Sequence, residues 1–116
     1  MIYSFKELVV WRKAVELTKK IYQITACLPP EEKYNLIPQL KRAAISVPSN
    51  IAEGRQRKTR KDFVQFLHIA GGSLAEIETQ LLTLRELYSH IDTGSADLLV
   101  EEVRRMPAVM IRRLEA

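Results

Sequence analysis

The chain has few of the residues that build disulfides, metal centres or membrane spans. Cys27 is the only cysteine in 116 residues, which excludes an intramolecular disulfide and a cysteine-based zinc site. No apolar run approaches the roughly 20 residues needed to cross a bilayer, so we predict no membrane segment. The first ten residues lack the basic stretch and continuous apolar core of a secretory signal. We therefore expect a cytoplasmic protein, because a reducing compartment suits a chain with one thiol.

Length and composition indicate one globular domain that spans residues 1–116. Hydrophobic residues make up 47% of the chain and charged residues 28%, which argues against disorder. A chain of this length can bury a core without disulfides or metals. Its formal charge of +4 leaves nucleic acid or another acidic partner open.

Apolar residues recur every three or four positions in four segments, and no segment alternates as a strand does. Short connections join the segments. The sequence therefore predicts an all-α fold, an up-down-up-down four-helix bundle. We expect helix one to start with a Ser4–Glu7 capping box and helix three to start with a Thr59–Asp62 box.

Helix one has a wider apolar face than a lone bundle needs. A first apolar row consists of Val10, Ala14, Leu17, Ile21, Ile24 and Leu28. A second row consists of Leu8, Trp11, Val15 and Tyr22. The two rows cover an arc of roughly 200°, about twice what a surface helix of a small bundle buries. We expect this helix to pack on two partners, one of them from another subunit.

The apolar stripe of helix two keeps its phase across Pro48. This predicts one kinked helix in which the carbonyl of Ala44 loses its helical donor. We expect the polar residues near the kink to satisfy freed backbone groups or to pair across a helix interface. These polar residues are Ser46, Ser49, Asn50 and Glu53.

Three other sites break the helical pattern. Gly54 is a candidate C-terminal cap for helix two. Gly71 and Gly72 lie within helix three, where each costs about 1 kcal/mol relative to alanine, and they predict close approach of a neighbouring helix. Pro107 is expected to bend or interrupt helix four, whose predicted apolar set is Leu98, Leu99, Val103, Met106, Val109, Met110 and Leu114.

No catalytic or metal-binding constellation is visible in the sequence. His68 is isolated on helix three, His90 lies in the next loop, and no E-x-x-H or H-E-x-x-H motif is present. Glu76 and Glu78 are two residues apart and face different sides of a helix. We interpret Cys27 as a half-buried residue rather than a reactive thiol. The expectation is no enzymatic activity, no catalytic residue, no metal and no cofactor.

Positive charge is concentrated between positions 41 and 61. Seven basic residues against Glu53 alone leave six net positive charges in this segment, so the rest of the chain sums to about minus two. The seven residues are Lys41, Arg42, Arg55, Arg57, Lys58, Arg60 and Lys61. Each is a candidate contact to a nucleic-acid phosphate, and a solvated loop is the alternative interpretation. Neither base stacking nor sequence-specific readout is predicted, because aromatic residues are not interleaved and no groove-reading motif is present.

Three segments carry a family resemblance. They read FKELVVWRKAVELTKKIY, EEKYNLIPQLKRAAISVPSNIAEGRQR and DFVQFLHIAGGSLAEIETQL. They resemble the bacterial four-helix-bundle family named after the 23S rRNA intervening sequence, from about Phe5 to Leu87. The last helix is similar only in character, and Pro38 and Pro107 depart from the family pattern. The resemblance implies a bundle that assembles into a homopentameric, barrel-like ring without known enzymatic activity.

The resemblance also implies two alternative functions. Some relatives are encoded within ribosomal RNA genes, and others are similar to the accessory protein of diversity-generating retroelements, which binds a reverse transcriptase and nucleic acid. The first hypothesis is a homo-oligomer that binds RNA or DNA backbone through the seven basic residues without strong sequence preference. Several copies in one assembly would then act together through effective concentration. The second is a protein-interaction scaffold for a partner such as a reverse transcriptase.

Overall fold

Residues 4–116, except for the side chain of Glu7, are described by a computed structural model. They form four α-helices and no strands, which confirms the all-α prediction. The helices are α1 (Val9–Thr25), α2 (Leu36–Gln56), α3 (Arg60–Leu87) and α4 (Gly94–Glu115). Single 3-10 turns at Phe5–Glu7 and Pro30–Glu32 precede α1 and α2. Within the described part of the chain, no helix is long and apolar enough to cross a membrane.

The helices pack in the cyclic order α1, α2, α3, α4, and α4 closes against α1. Consecutive helices run antiparallel because their connections are short. The result is an elongated body of 46 × 20 × 20 Å. Its centre holds fully buried aliphatic side chains from all four helices, each of which contributes roughly 1.5–3 kcal/mol. These include Leu17, Ile21, Leu40, Val47, Ile51, Leu67, Leu74, Ile77, Leu81, Leu84 and Val103.

Helix α1 begins later in the sequence than its predicted start at the Ser4–Glu7 capping box. Ser4 Oγ accepts a hydrogen bond from the backbone N–H of Lys6 at 3.2 Å, so Ser4 caps the first 3-10 turn. Helix α1 itself begins at Val9, with Leu8 as its N-cap and no side-chain cap. The prediction that helix one starts with a Ser4–Glu7 capping box was therefore wrong. The side chain of Glu7 lies outside the described residues.

Pro48 does not interrupt α2, which runs through it as one helix, as the phase of the stripe predicts. Proline has no N–H to donate to the carbonyl of Ala44, four residues earlier. The hydroxyl of Thr18 on α1 lies 3.1 Å from that carbonyl oxygen and 2.9 Å from the carbonyl oxygen of Ala14. Its single hydrogen is shared between the two, so α1 supplies the donor that α2 lacks.

Gly54 is a packing residue rather than a helix cap. It is buried inside α2, and a Cβ placed there would lie 2.7 Å from Cβ of Phe66 and 3.0 Å from Cδ1 of Phe63. The helix continues to Gln56, and Arg57 forms the cap in an extended conformation. The absence of a side chain at Gly54 lets α3 approach α2 closely at this end.

The close approach of a neighbouring helix that is predicted at Gly71 and Gly72 does not occur within one chain. A Cβ at either position would meet no atom within 4 Å, so neither glycine accommodates a neighbouring helix of the same chain. Pro107 is buried, and α4 runs through it, so the interruption of helix four that was one predicted outcome does not occur.

The apolar patterns predicted for helices one and four locate most of their core residues, but some of the predicted positions are exposed. On α1 the first row is buried, whereas Tyr22 of the second row is 40% exposed. Leu98 belongs to the predicted stripe of α4 but is 74% exposed. The buried face of α4 consists of Ala96, Leu99, Val100, Val103, Pro107 and Ile111, of which Leu99 and Val103 were predicted. Leu67 on α3 is also fully buried.

Candidate nucleic-acid interface

Helices α2 and α3 meet at one end of the bundle through a loop of three residues, Arg57 to Thr59. Thr59 Oγ1 accepts a hydrogen bond from the backbone N–H of Asp62 at 3.1 Å, which confirms its predicted capping role. Helix α3 therefore starts at Arg60. Its first backbone N–H groups and the last carbonyl groups of α2 flank the same loop, so the two helix dipoles oppose each other there and the positive charge comes from the side chains.

The structure divides the seven predicted phosphate contacts into two groups. Five of them form what we call the basic tip: Arg55, Arg57, Lys58, Arg60 and Lys61. Arg55 is half-buried and the other four are exposed. Lys41 and Arg42 lie far from this tip, because the 13 residues from Arg42 to Arg55 extend roughly 20 Å along α2. The seven residues therefore do not form one continuous patch on a single chain.

Arg57 is held in place by two neighbours. Its Nη2 lies 2.8 Å from Oε1 of Glu53, and its guanidinium sits 4.9 Å from the ring centroid of Phe66. Among the described residues, Arg55, Lys58, Arg60 and Lys61 form no ion pair. Arg55 is half-buried, so the three exposed side chains carry most of the accessible uncompensated charge of the tip.

Lys41 and Arg42 have different surroundings from the tip. Lys41 Nζ lies 4.7 Å from the ring centroid of Tyr22 on α1, at the edge of an apolar groove. Arg42 lines a polar cleft of about 370 Å³ between α2 and α3, together with Glu76 and Gln80. The contact with Tyr22 gives Lys41 a local role within the fold, whereas Arg42 forms no ion pair among the described residues.

One of the polar residues near Pro48 pairs across the helix interface, as one of the two predicted alternatives describes. Ser46 Oγ on α2 and Ser73 Oγ on α3 lie 2.7 Å apart. Asn50 Nδ2 donates to the carbonyl and to the hydroxyl of Ser46, at 2.8 and 2.9 Å. Pairing across the helix interface is therefore confirmed for Ser46. Thr18, rather than one of these polar residues, donates to the carbonyl of Ala44, which has no donor in α2 because of Pro48.

Sequence reasoning missed two cations near the tip, Arg112 and Arg113. They lie in the last turn of α4. Arg112 lines a cleft with Leu67 of α3, less than two turns from the start of that helix. The predicted up-down topology could have located them, because in this topology helix four ends at the same end of the bundle at which helix three begins. Both arginines are exposed and extend positive charge across this end of the bundle.

An aromatic residue also lies beside the tip, although the basic run itself contains none. Phe66 is half-buried between Gly54 and the guanidinium of Arg57. One face of its ring is therefore occupied by Arg57, which leaves little open surface for a nucleic-acid base. The geometry favours contact with phosphates over stacking with bases.

The groups with shifted pKa values belong to structural pairs. Tyr88 Oη donates a hydrogen bond to Glu32 Oε2 at 2.6 Å, and this bond raises the pKa of Tyr88 to about 12. The hydrogen bonds from Arg104 lower the pKa of Glu101. Cys27 is exposed, which corrects the expectation that it is half-buried. The described residues contain no group of three His, Cys, Asp or Glu side chains that could hold a metal.

Comparison with known proteins identifies the family. The model of the 23S rRNA-intervening sequence protein family matches residues 6–111. The chain belongs to this family. The match includes most of α4, so it extends beyond the segments that carry the resemblance in the sequence. The family is therefore shown for the whole bundle and not only for its first three helices.

A solved structure supports the same fold. It is the crystal structure of a protein with unknown function from the S23 ribosomal protein family of Bacteroides thetaiotaomicron VPI-5482. The two chains are 26% identical, with a TM-score of 0.65, and the likeness covers 91% of this chain and 94% of the other. A search of curated proteins finds no significant match.

Proposed function

We propose that this chain is a non-enzymatic bundle that forms a homo-oligomer and binds the backbone of RNA or DNA through its basic tip. The observation that carries the proposal is the local density of charge. Five of the seven residues from Arg55 to Lys61 are basic, and four of these, all except Arg57, have no ion-pair partner among the described residues. Membership of a family named after an rRNA intervening sequence supports RNA as one ligand. The proposed compartment is the bacterial cytoplasm.

The binding is electrostatic and does not read sequence. Neutralising a phosphate releases condensed counterions, so affinity falls as salt rises. The tip combines a short loop with helix ends and presents no helix face or strand pair to a groove. One tip makes few contacts and binds weakly. A ring of several copies, a homopentamer as the family resemblance implies, would bind one nucleic acid through several tips at once.

The test compares two variants with the same change in net charge. Lys58→Glu with Arg60→Glu alters the tip, whereas Lys20→Glu with Lys33→Glu alters cations on other parts of the bundle. Fluorescence anisotropy with labelled RNA and duplex DNA of mixed sequence reports affinity. We expect the tip variant to lose about tenfold or more and the control to lose much less. Equal affinity in the wild type and the tip variant would exclude the tip as the binding site.

A second candidate function is a scaffold for a protein partner such as a reverse transcriptase. An apolar cleft of about 440 Å³ between α1 and α4 favours it, since Val9, Met106, Val109 and Met110 line this cleft. Methionine side chains adapt to different apolar surfaces, and Val9 is 52% exposed. A pull-down with such a polymerase that survives nuclease and moderate salt would support this function. Release of the partner by nuclease would show that nucleic acid links the two proteins.

A further inference from the structure

An apolar groove of about 450 Å³ lies between α1 and α2, and no part of the described chain covers it. The residues that line it are Val15, Thr18, Lys19, Tyr22, Ile45 and Pro48. Tyr22 is 40% exposed and Ile45 is 45% exposed. Several large apolar side chains exposed together, rather than singly, indicate a surface that another molecule covers. Val15 and Tyr22 of the groove belong to the second apolar row of helix one, which a lone bundle does not need.

The charges around the groove restrict what can bind there. Lys19 lines the groove, and Lys41 Nζ lies over the ring of Tyr22 at its edge. If the same groove of a second copy docked face to face, lysines would oppose lysines, which is unfavourable. A suitable occupant has an apolar surface flanked by carboxylates. The chain itself offers such a surface on α3.

The outer face of α3 has the opposite charge. Between Asp62 and Leu84 the sequence contains no lysine or arginine. Glu76 and Glu86 are exposed on this helix, and neither forms an ion pair among the described residues. The exposed side chains of Ile69 and Leu82, 44% and 49% accessible, flank the same face.

This face is also less polar than its sequence suggests. Thr79 Oγ1 donates to the carbonyl of Ala75, and Thr83 Oγ1 donates to the carbonyl of Thr79, each at 2.9 Å. The two hydroxyl groups are therefore satisfied within the helix. Ala75 and Gly72 on this face are small, and a Cβ at Gly72 would meet no other atom. A second chain can therefore approach the backbone of α3 closely.

We propose that the α1–α2 groove of one copy binds the outer face of α3 of a second copy, with Lys19 and Lys41 near Glu76 and Glu86. Two different surfaces meet, so the contact is heterologous and repeats around a ring when its rotation closes. The proposal rests on the self-association in the proposed function and names the surfaces that carry it. The tip stays accessible, since Pro48, the groove residue nearest to it along α2, is seven residues, or roughly 10 Å, from Arg55.

Charge reversal with rescue tests this contact. The groove variant is Lys19→Glu with Lys41→Glu, the α3 variant is Glu76→Lys with Glu86→Lys, and the third variant combines all four changes. Sedimentation velocity and light scattering measure assembly. We expect each double variant to weaken assembly at least tenfold in dissociation constant and the quadruple variant to regain most of it. Assembly that both double variants leave unchanged, or a quadruple variant weaker than either, would overturn the proposed contact.

Matched measurements separate this inference from the proposed function. Lys58→Glu with Arg60→Glu should lose nucleic-acid affinity and keep the wild-type assembly. Ile45→Asp, at an exposed groove position, should dissociate the oligomer while its circular dichroism spectrum and melting curve show a folded bundle. A wild-type protein that sediments as a monomer would contradict self-association itself. A wild-type oligomer that Ile45→Asp does not weaken would contradict only the choice of surface.

Discussion

The hydroxyl of Thr18 on α1 lies 3.1 Å from the carbonyl oxygen of Ala44 on α2. Within α2 this carbonyl has no N–H donor, because the residue four positions later is Pro48. The bond joins two helices that are otherwise held together mainly by apolar packing. Pro48 and Thr18 also line the α1–α2 groove, so this bond helps to shape the proposed contact surface.

We predict that Thr18→Val destabilises the protein by about 1–2 kcal/mol, because a partly buried carbonyl is left without a donor. Valine keeps the branched shape of threonine, so the loss reports mainly the hydroxyl. Urea unfolding followed by circular dichroism measures the change.

The same prediction has an internal control in Pro48→Ala. Alanine restores the N–H that can bond to the carbonyl of Ala44 within α2. In this background Thr18→Val should cost less than in the wild type, by roughly 0.5–1 kcal/mol. Equal costs in the two backgrounds would show that Thr18 does not serve the proline-freed carbonyl.

A second prediction distinguishes the two kinds of glycine. Gly54→Ala should destabilise the protein by about 1 kcal/mol or more, because overpacking against Phe66 exceeds the gain in helix propensity. Gly71→Ala should stabilise it by about 0.5–1 kcal/mol, since a Cβ there meets no neighbour. Thermal and urea unfolding of both variants give the comparison. Stabilisation by Gly54→Ala of the same size as by Gly71→Ala would contradict the tight packing at Gly54.

A third prediction concerns the alkaline limit of stability. The hydrogen bond to Glu32 raises the pKa of Tyr88 from 10.0 to about 12 in the folded protein. As the pH rises, the folded state therefore keeps the Tyr88 proton to a higher pH than the unfolded state does. The contribution to stability is fully present below about pH 10 and is lost as the pH rises toward 12.

Urea unfolding from about pH 9 to pH 12 checks the alkaline prediction. Tyr88→Phe should be less stable than the wild type at pH 9 and should show a shallower loss above pH 10. Tyr34→Phe serves as the control, because Tyr34 is 82% exposed and forms no side-chain hydrogen bond within the described residues. Parallel pH profiles for Tyr88→Phe and the wild type would mean that the Tyr88–Glu32 bond does not couple to folding.

The four helices were predictable because each has a regular apolar period, and α2 kept that period across Pro48. Their exact starts were less predictable. Ser4 and Glu7 fit the pattern of a capping box, but a 3-10 turn there already uses the hydroxyl of Ser4. Gly54 was misassigned because glycine occurs both at helix ends and where helices touch. Only the position of Phe66 across the interface decides between these uses.

The candidate site was predictable in part for similar reasons. The basic tip is a local run in the sequence, so its five residues were found directly. Lys41 and Arg42 were grouped with it by sequence distance, although α2 separates them from it by roughly 20 Å. Arg112 and Arg113 were missed because they reach the tip only through the return of α4. The donor from Thr18 to Ala44 depends on the register of two helices, which no local pattern specifies.

The salt dependence of binding tests the central claim most directly. The affinity of the wild type and of Lys58→Glu with Arg60→Glu for the same duplex DNA should be measured across a range of salt concentrations. Each lost phosphate contact removes about 0.9 from the slope of log affinity against log salt. If the tip binds phosphates, the slope of the variant should be shallower by about 2 for each tip engaged. Two parallel lines, whatever their vertical separation, would contradict phosphate contact by these residues.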